Sequence, residues 1–223
     1  AVAIAPAVIV RDQFNNPVAG VPVTFAVTTG GGTVSPVTPV LTDATGIAAA
    51  TTWTLGTTAG SNSLTATAGT LVGSPVSFTA TGAASIASSI EINAGDGQTS
   101  TVGTAVAAPP AVIVRDQFGN PVAGVTVTFA AASGGGSITG ATQTTNAAGI
   151  ATLGSWTLGT TAGPNSVTAT SGTLAGSPVS FTATGTAGPP SSIAINAGDG
   201  QSATVATAVA APPAVIVRDQ FNN

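Results

Sequence analysis

The 223-residue sequence contains no cysteine, histidine, methionine or tyrosine, and its only basic side chains are Arg11, Arg115 and Arg218. Each absence removes a class of chemistry. Without cysteine, disulfides contribute nothing to stability, and the lack assigns no redox compartment, because many secreted β domains also do without them. Nucleophilic catalysis needs a Ser, Cys or Lys activated beside a base, and without His, Cys or Lys the usual partners are missing. Three arginines against seven acids leave a formal net charge of −4. Phosphate binding needs clustered cations that this chain lacks, so no nucleic-acid partner is expected. Long apolar runs are missing as well: the apolar stretch around Thr207 is cut by Pro212 and Pro213, well short of the roughly 18 residues of a membrane span. No membrane insertion is expected in this segment. The first residue is Ala and no signal peptide follows, so the chain is expected to be an internal piece of a longer or processed one.

What the sequence does contain, it contains more than once. AVIVRDQFNNPVAGVPVTF starting at Ala7 returns as AVIVRDQFGNPVAGVTVTF at Ala111, and AVIVRDQFNN starts again at Ala214. The three arginines mark spacings of 104 and 103 residues. A period this long exceeds that of solenoid and propeller units, so each copy is large enough to bury a core of its own. The expected division is 1–84, a first repeat lacking its first strand, then 85–187, a complete second repeat, then 188–223, the first strands of a third.

Strand signals run throughout. Val125, Val127 and Phe129 alternate with Thr126 and Thr128, and Val179, Phe181 and Ala183 alternate with Ser180, Thr182 and Thr184. One apolar and one Thr-rich face is the pattern of a two-sheet antiparallel sandwich, and no stretch has helical periodicity. Strands are expected near Ser89–Asn93, Thr99–Ala107, Ala111–Asp116, Val125–Ala130, Ser137–Thr144, Gly149–Leu158, Asn165–Ser171 and Ser177–Thr184. If the first two are one split edge strand the count is seven, the immunoglobulin-like number. An odd number of strands brings the chain in at one pole and out at the other. The expectation is therefore an all-β tandem of immunoglobulin-like sandwiches arranged end to end, each adding roughly 35–45 Å. Pro189 and Pro190 are expected to stiffen a short linker and make the array a semi-rigid rod.

The stretch VIVRDQFGNPVAGVTVTF, a Gly-rich loop, TNAAGIA at Thr145, the Trp156-Thr-Leu-Gly segment, NSVTAT at Asn165 and SPVSFTAT at Ser177 together resemble the bacterial immunoglobulin-like group 1 domains. These are the stalk repeats of invasin- and intimin-type adhesins and of other secreted surface proteins, and the resemblance covers essentially the whole chain. It implies an extracellular or cell-surface location and a structural role. The lectin-like receptor-binding tip of the invasin type has no counterpart in the sequence.

Individual residues carry paired readings. Asp116, with Asn146 and, in the first copy, Asp12 and Asp43, would sit at a domain pole where calcium rigidifies some tandem β domains; the alternatives are pairing with Arg115 and Arg11 or service as turn acceptors. Asp96, whose equivalent in the next repeat is Asp199, reads as an Asx-type turn. Trp53 and Trp156 are either exposed platforms for sugar stacking or core anchors, and the core reading is preferred. Phe14, Phe118 and Phe221, each in a turn, read as caps of the joint between repeats. The Thr-rich faces either keep strands soluble without charge or carry O-linked sugars and lateral contacts. No catalytic, cofactor-binding or metal-ligating residue is assigned, and no cofactor or enzymatic activity is expected.

The function expected is that of a structural segment of an extracellular fibre or cell-surface stalk, spanning distance, bearing tension and self-assembling into filaments. The alternative is an adhesin-type module that recognises a receptor or glycan through its pole loops. Expected partners are neighbouring copies of the same protein, through end-to-end, lateral or strand-donating contacts. Strand donation enters because the opening segment lacks the strand that Ser191 onward duplicates; a window on a covalent array is the simpler account.

Overall fold

The computed structural model describes residues 1–223, built from strands and turns without a helix. Its compact units are Ala1–Ile86 with Gln117–Asn120, and Ala87–Asp116 with Pro121–Asn223.

In the second unit one sheet has the order Ile150–Thr152, Ala111–Asp116, Ala87–Ala94. The other runs Gln98–Thr101, Val179–Thr186, Gly163–Thr170, Thr126–Ser133, Thr142–Thr144. The expected split edge strand is present. Ala87–Ala94 pairs antiparallel with Ala111–Asp116, and after a turn Gln98–Thr101 pairs parallel with Val179–Thr186. Gly95 makes that turn with φ +87°, and a Cβ there would strike the Pro109 and Pro110 backbone.

Alternation decides which side chains face inward. Along Val179–Thr186 every second residue is buried, which sends Val179, Phe181 and Ala183 into the core and leaves the Ser and Thr residues outside. They share the core with Val127, Phe129 and Val167 of the same sheet, with Val112 and Val114 of the other, and with Leu153 and Trp156. Phe129 and Phe181 pack with ring centroids 6.5 Å apart, tilted by 40°. Burying each such side chain is worth about 1.5–3 kcal/mol, which is how a unit without a disulfide or metal holds together. On the outer face hydroxyls pair across strands, as in Ser133 with Ser166 at 2.7 Å.

Three expected strands are shorter or broken. The strand expected over Thr99–Ala107 ends at Thr101, where Thr104 bonds back to the Thr101 carbonyl. The segment expected as Ser137–Thr144 divides into Ser137–Thr139 and Thr142–Thr144, which pair with Ser155–Thr157 and Thr126–Ser133 respectively. Gly149–Leu158 divides into Ile150–Thr152 and Ser155–Thr157. The two breaks share a cause: Gly140, at φ +62°, lies against the Gly154 backbone, whose N–H donates to Thr139 O at 3.1 Å. Two glycines without side chains let each segment divide between the Ser137–Thr139/Ser155–Thr157 ladder and a sheet, Thr142–Thr144 joining one sheet and Ile150–Thr152 the other.

The first unit repeats the plan. Val40–Leu41, Pro22–Thr29, Gly60–Thr67 and Val76–Gly82 form one sheet, Ala7–Ile9 pairs with Ile47–Ala49, and Gly32–Ser35 pairs with Thr52–Leu55. Its core gathers Val10, Val23, Phe25, Trp53 and Leu64. Near-identical sequence is buried differently here: Val76 is 42% exposed, whereas its equivalent Val179 is 7% exposed. A groove of about 440 Å³ runs beside Val8, Val10, Leu71 and Val76. In the second unit Val114 and Ala175, the equivalents of Val10 and of Val72 in the groove's lining, pair with and bond to Ile90, which is buried. The Ser192–Ala197 strand pairs with Ala214–Arg218 and is exposed along its whole length.

Candidate functional site

The repeated Arg-Asp-Gln-Phe segment forms a five-residue turn closed by its own carboxylate. Asp12 Oδ1 accepts from the Phe14 N–H at 2.9 Å and the Asn16 N–H at 2.8 Å. Asp219 does the same for Phe221 and Asn223, at 2.8 and 2.9 Å. An acid at this spacing is an Asx-turn acceptor, and the arginine beside it has other work. Arg11 donates to Asn15 O at 2.9 Å and Arg218 to Asn222 O at 2.8 Å, while Arg115 pairs with Glu91 at 2.9 Å. Of the alternatives for Asp12, service as turn acceptor is the one observed. The fourth position of the turn has positive φ, 69° at Asn15, 84° at Gly119 and 68° at Asn222, which explains why only Asn and Gly occupy it.

The turn's last residue reaches furthest. In the first unit Asn120 Nδ2 donates to Thr57 O at 2.8 Å, and Ala59 N–H donates to Asn120 Oδ1 at 2.8 Å. In the second, Asn223 Nδ2 donates to Thr160 O at 2.8 Å, and Ala162 N–H donates to its Oδ1 at 2.7 Å. Phe221 lies over Gly103, whose Cβ would meet its ring at 3.2 Å. Phe14 stands 76% exposed and Phe118 52% exposed.

Burial pushes the Asp219 carboxyl up. Hydrogen bonds from the Asn223 side chain and from the Gly188, Asn223 and Phe221 N–H groups outweigh it and hold the pKa down at about 2. A group depressed in the folded state stabilises fully above its ordinary value, 3.8 for this carboxyl, and loses that contribution as the pH falls through the depressed one. The Asp219 carbon resonance is therefore expected to titrate near pH 2, with the Gly188 N–H still protected at pH 3. A midpoint at the ordinary value would mean that the turn is not closed as described.

The remaining acids are spread over separate turns. Asp43 Oδ1 accepts from the Thr45 N–H, the Thr45 hydroxyl and the Ile47 N–H at 2.7, 2.6 and 3.1 Å. In the other repeat Asn146 Oδ1 accepts from Ala148 and Ile150 at 2.9 and 3.1 Å. Either residue serves, because the turn asks only for an acceptor oxygen. Asp96, expected in a local Asx turn, instead reaches across to Thr182, taking its N–H at 2.7 Å and its hydroxyl at 3.0 Å. Those bonds hold its carboxyl below the usual range. No three acidic side chains converge on one point.

Trp53 and Trp156 are 2% and 1% exposed, core anchors with no face open for stacking. The indole Nε1 of each lacks a hydrogen-bond partner.

Several structural residues escaped the sequence reading. Asn62 and Asn165 are buried inside strands, where each amide joins two glycines: Asn165 accepts from the Gly159 N–H at 3.0 Å and donates to Gly163 O at 3.2 Å. Thr145 bridges the Val125 N–H and Val122 O, at 2.9 and 2.7 Å. Gln98 ties the Gly95 and Ala108 carbonyls at 2.9 and 2.7 Å. The one available signal was an Asn at the same place in both repeats, inside a strand that disfavours it.

Comparison with known proteins bears on the whole chain. A family model described as bacterial Ig-like domain (group 1) matches residues 3–81 and again residues 107–184. Among solved structures the chain is similar to FdeC, described as an Escherichia coli adhesin, at 20% identity over 95% of this chain and 67% of that one, with a TM-score of 0.59. It is also similar to InvD of Yersinia pseudotuberculosis, at 20% identity over 97% of this chain and 65% of that one, with a TM-score of 0.53. At this identity the likeness concerns the fold, and the chain spans about two thirds of the length of each. No curated protein sequence matches the chain.

Proposed function

Because the chain belongs to the bacterial Ig-like domain (group 1) family, we propose that it is a spacer segment of a cell-surface, adhesin-type stalk, without catalytic activity of its own. One observation carries the reading. In the complete sandwich the second half of the split first strand, Gln98–Thr101, and the last strand, Val179–Thr186, pair in parallel. Tension that enters ahead of the first and leaves after the last loads those hydrogen bonds together, in shear, and does not unzip them one at a time. A sandwich repeated in tandem with this pairing suits a chain that must extend and hold. Both tryptophans are buried, which weighs against the glycan-stacking version of a binding module.

The test uses the native source. Antibodies raised against the 223-residue chain should label intact cells, surface proteolysis should remove the label, and the denatured polypeptide should run at several times 20.9 kDa. Label seen only after lysis would overturn the surface role. A subunit near 20.9 kDa recovered from filaments would overturn the covalent stalk in favour of a self-assembling fibre.

A further inference from the structure

The spacer role asks nothing of the last residue in the Asp-Gln-Phe-x-Asn turn, yet Asn120 is buried, at 7% exposure. Both of its polar atoms are spent on main-chain atoms more than sixty positions away in sequence. Asn223 repeats the arrangement on Thr160 and Ala162. The loops they meet both read Thr-Thr-Ala-Gly, at 57–60 and 160–163. In each, a carbonyl and an N–H two residues apart face one primary amide, which supplies the complementary donor and acceptor as a neighbouring strand would. Aspartate has the acceptor and no donor, alanine has neither, and glutamine is one methylene longer.

The turn is built before it docks. At Asp12–Asn16 it stands exposed, with the same internal bonds: Asn16 N–H to Asp12 Oδ1 at 2.8 Å and Asn16 Nδ2 to Asp12 Oδ2 at 3.1 Å. The docked copy keeps the corresponding bonds, Asn223 N–H to Asp219 Oδ1 at 2.9 Å and Asn223 Nδ2 to Asp219 Oδ2 at 2.8 Å. A turn already held in its docked form loses little conformational freedom on docking.

We propose that Asn120 and Asn223 are the recognition groups of a main-chain latch, each selecting the Thr-Thr-Ala-Gly loop of a sandwich. Asn16 is the same group, presented to such a loop of another repeat of this kind. The latch reads backbone and is indifferent to the loop's side chains, while the turn must keep its asparagine. It holds whatever the cellular location, so its failure and that of the stalk reading are separable.

The experiment is amide hydrogen exchange followed by NMR on the full chain. With each of the two bonds contributing modestly, Asn120→Ala should speed exchange of the Ala59 N–H on the order of tenfold to a hundredfold, leaving Ala162 unchanged. Asn223→Ala should do the reverse, and Asn16→Ala should change neither. Asn120→Leu, close in size but with neither donor nor acceptor, should give the Asn120→Ala result and serves in its place if that variant does not fold. Unchanged exchange at Ala59 in the Asn120 variants would overturn the latch. So would an equal effect from Asn16→Ala, or accelerated exchange spreading to the core amide of Leu64, which would make Asn120 a folding residue.

Discussion

Trp156→Ala is expected to unfold the second sandwich near room temperature or leave it barely folded, while the first keeps its own transition. Trp156 is 1% exposed, and its strand pairs with Ser137–Thr139. Truncating a buried aromatic to alanine costs about 3–5 kcal/mol through lost transfer energy and the cavity left behind. The whole stability of a domain this size is about 5–15 kcal/mol. Calorimetry should show one transition displaced downward by more than about 10 °C and the other in place. Trp156→Phe should be milder, because the indole Nε1 has no partner to lose and the smaller volume removed leaves a smaller cavity. In the unaltered chain iodide should barely quench either tryptophan. Quenching like that of free indole would overturn the core placement and restore the stacking platform.

Gly159→Ala should be about as damaging, for a different reason. Its φ is not of the left-handed kind, so the backbone itself would accept alanine; the space would not. A Cβ there would run into the carbonyl oxygen of Gly134, which is backbone and cannot rotate away. Gly134 is itself at φ +87° with the Asn165 amide pressed against it, and that amide holds the Gly159 N–H at 3.0 Å. The overpacking is expected to cost about 3 kcal/mol, and displacing Asn165 would add about 1–3 kcal/mol for buried polar groups left unpaired. Gly172→Ala is the control: it has φ +46° and nothing within 4 Å of its Cβ, so only the left-handed penalty of about 1–2 kcal/mol applies. Urea melts of the two variants should differ clearly in midpoint. Equal midpoints would mean that the three-residue knot yields more easily than its geometry implies.

Much of the fold was legible because its signal is local. Period-two alternation places Val179, Phe181 and Ala183 on one face whatever lies opposite, and Asx-turn spacing at Asp12 and Asp43 needs no partner outside the next four residues. The errors fell where distant segments decide. The strand expected at Ser137–Thr144 breaks because Gly140 meets Gly154, and Asp96 left its local turn for Thr182 in a strand 86 positions away.

From sequence alone came the tandem period, the all-β sandwich, the buried tryptophans and the lack of groups for nucleophilic catalysis, since composition and alternation act residue by residue. Tertiary structure alone decided that Val76 and Val179, in near-identical strands, differ in burial, 42% against 7% exposed. It alone showed that Asn16 stands open while Asn120 is closed on a loop. Burial and hydrogen bonding belong to pairs of segments, and a repeated sequence specifies only one member of each pair.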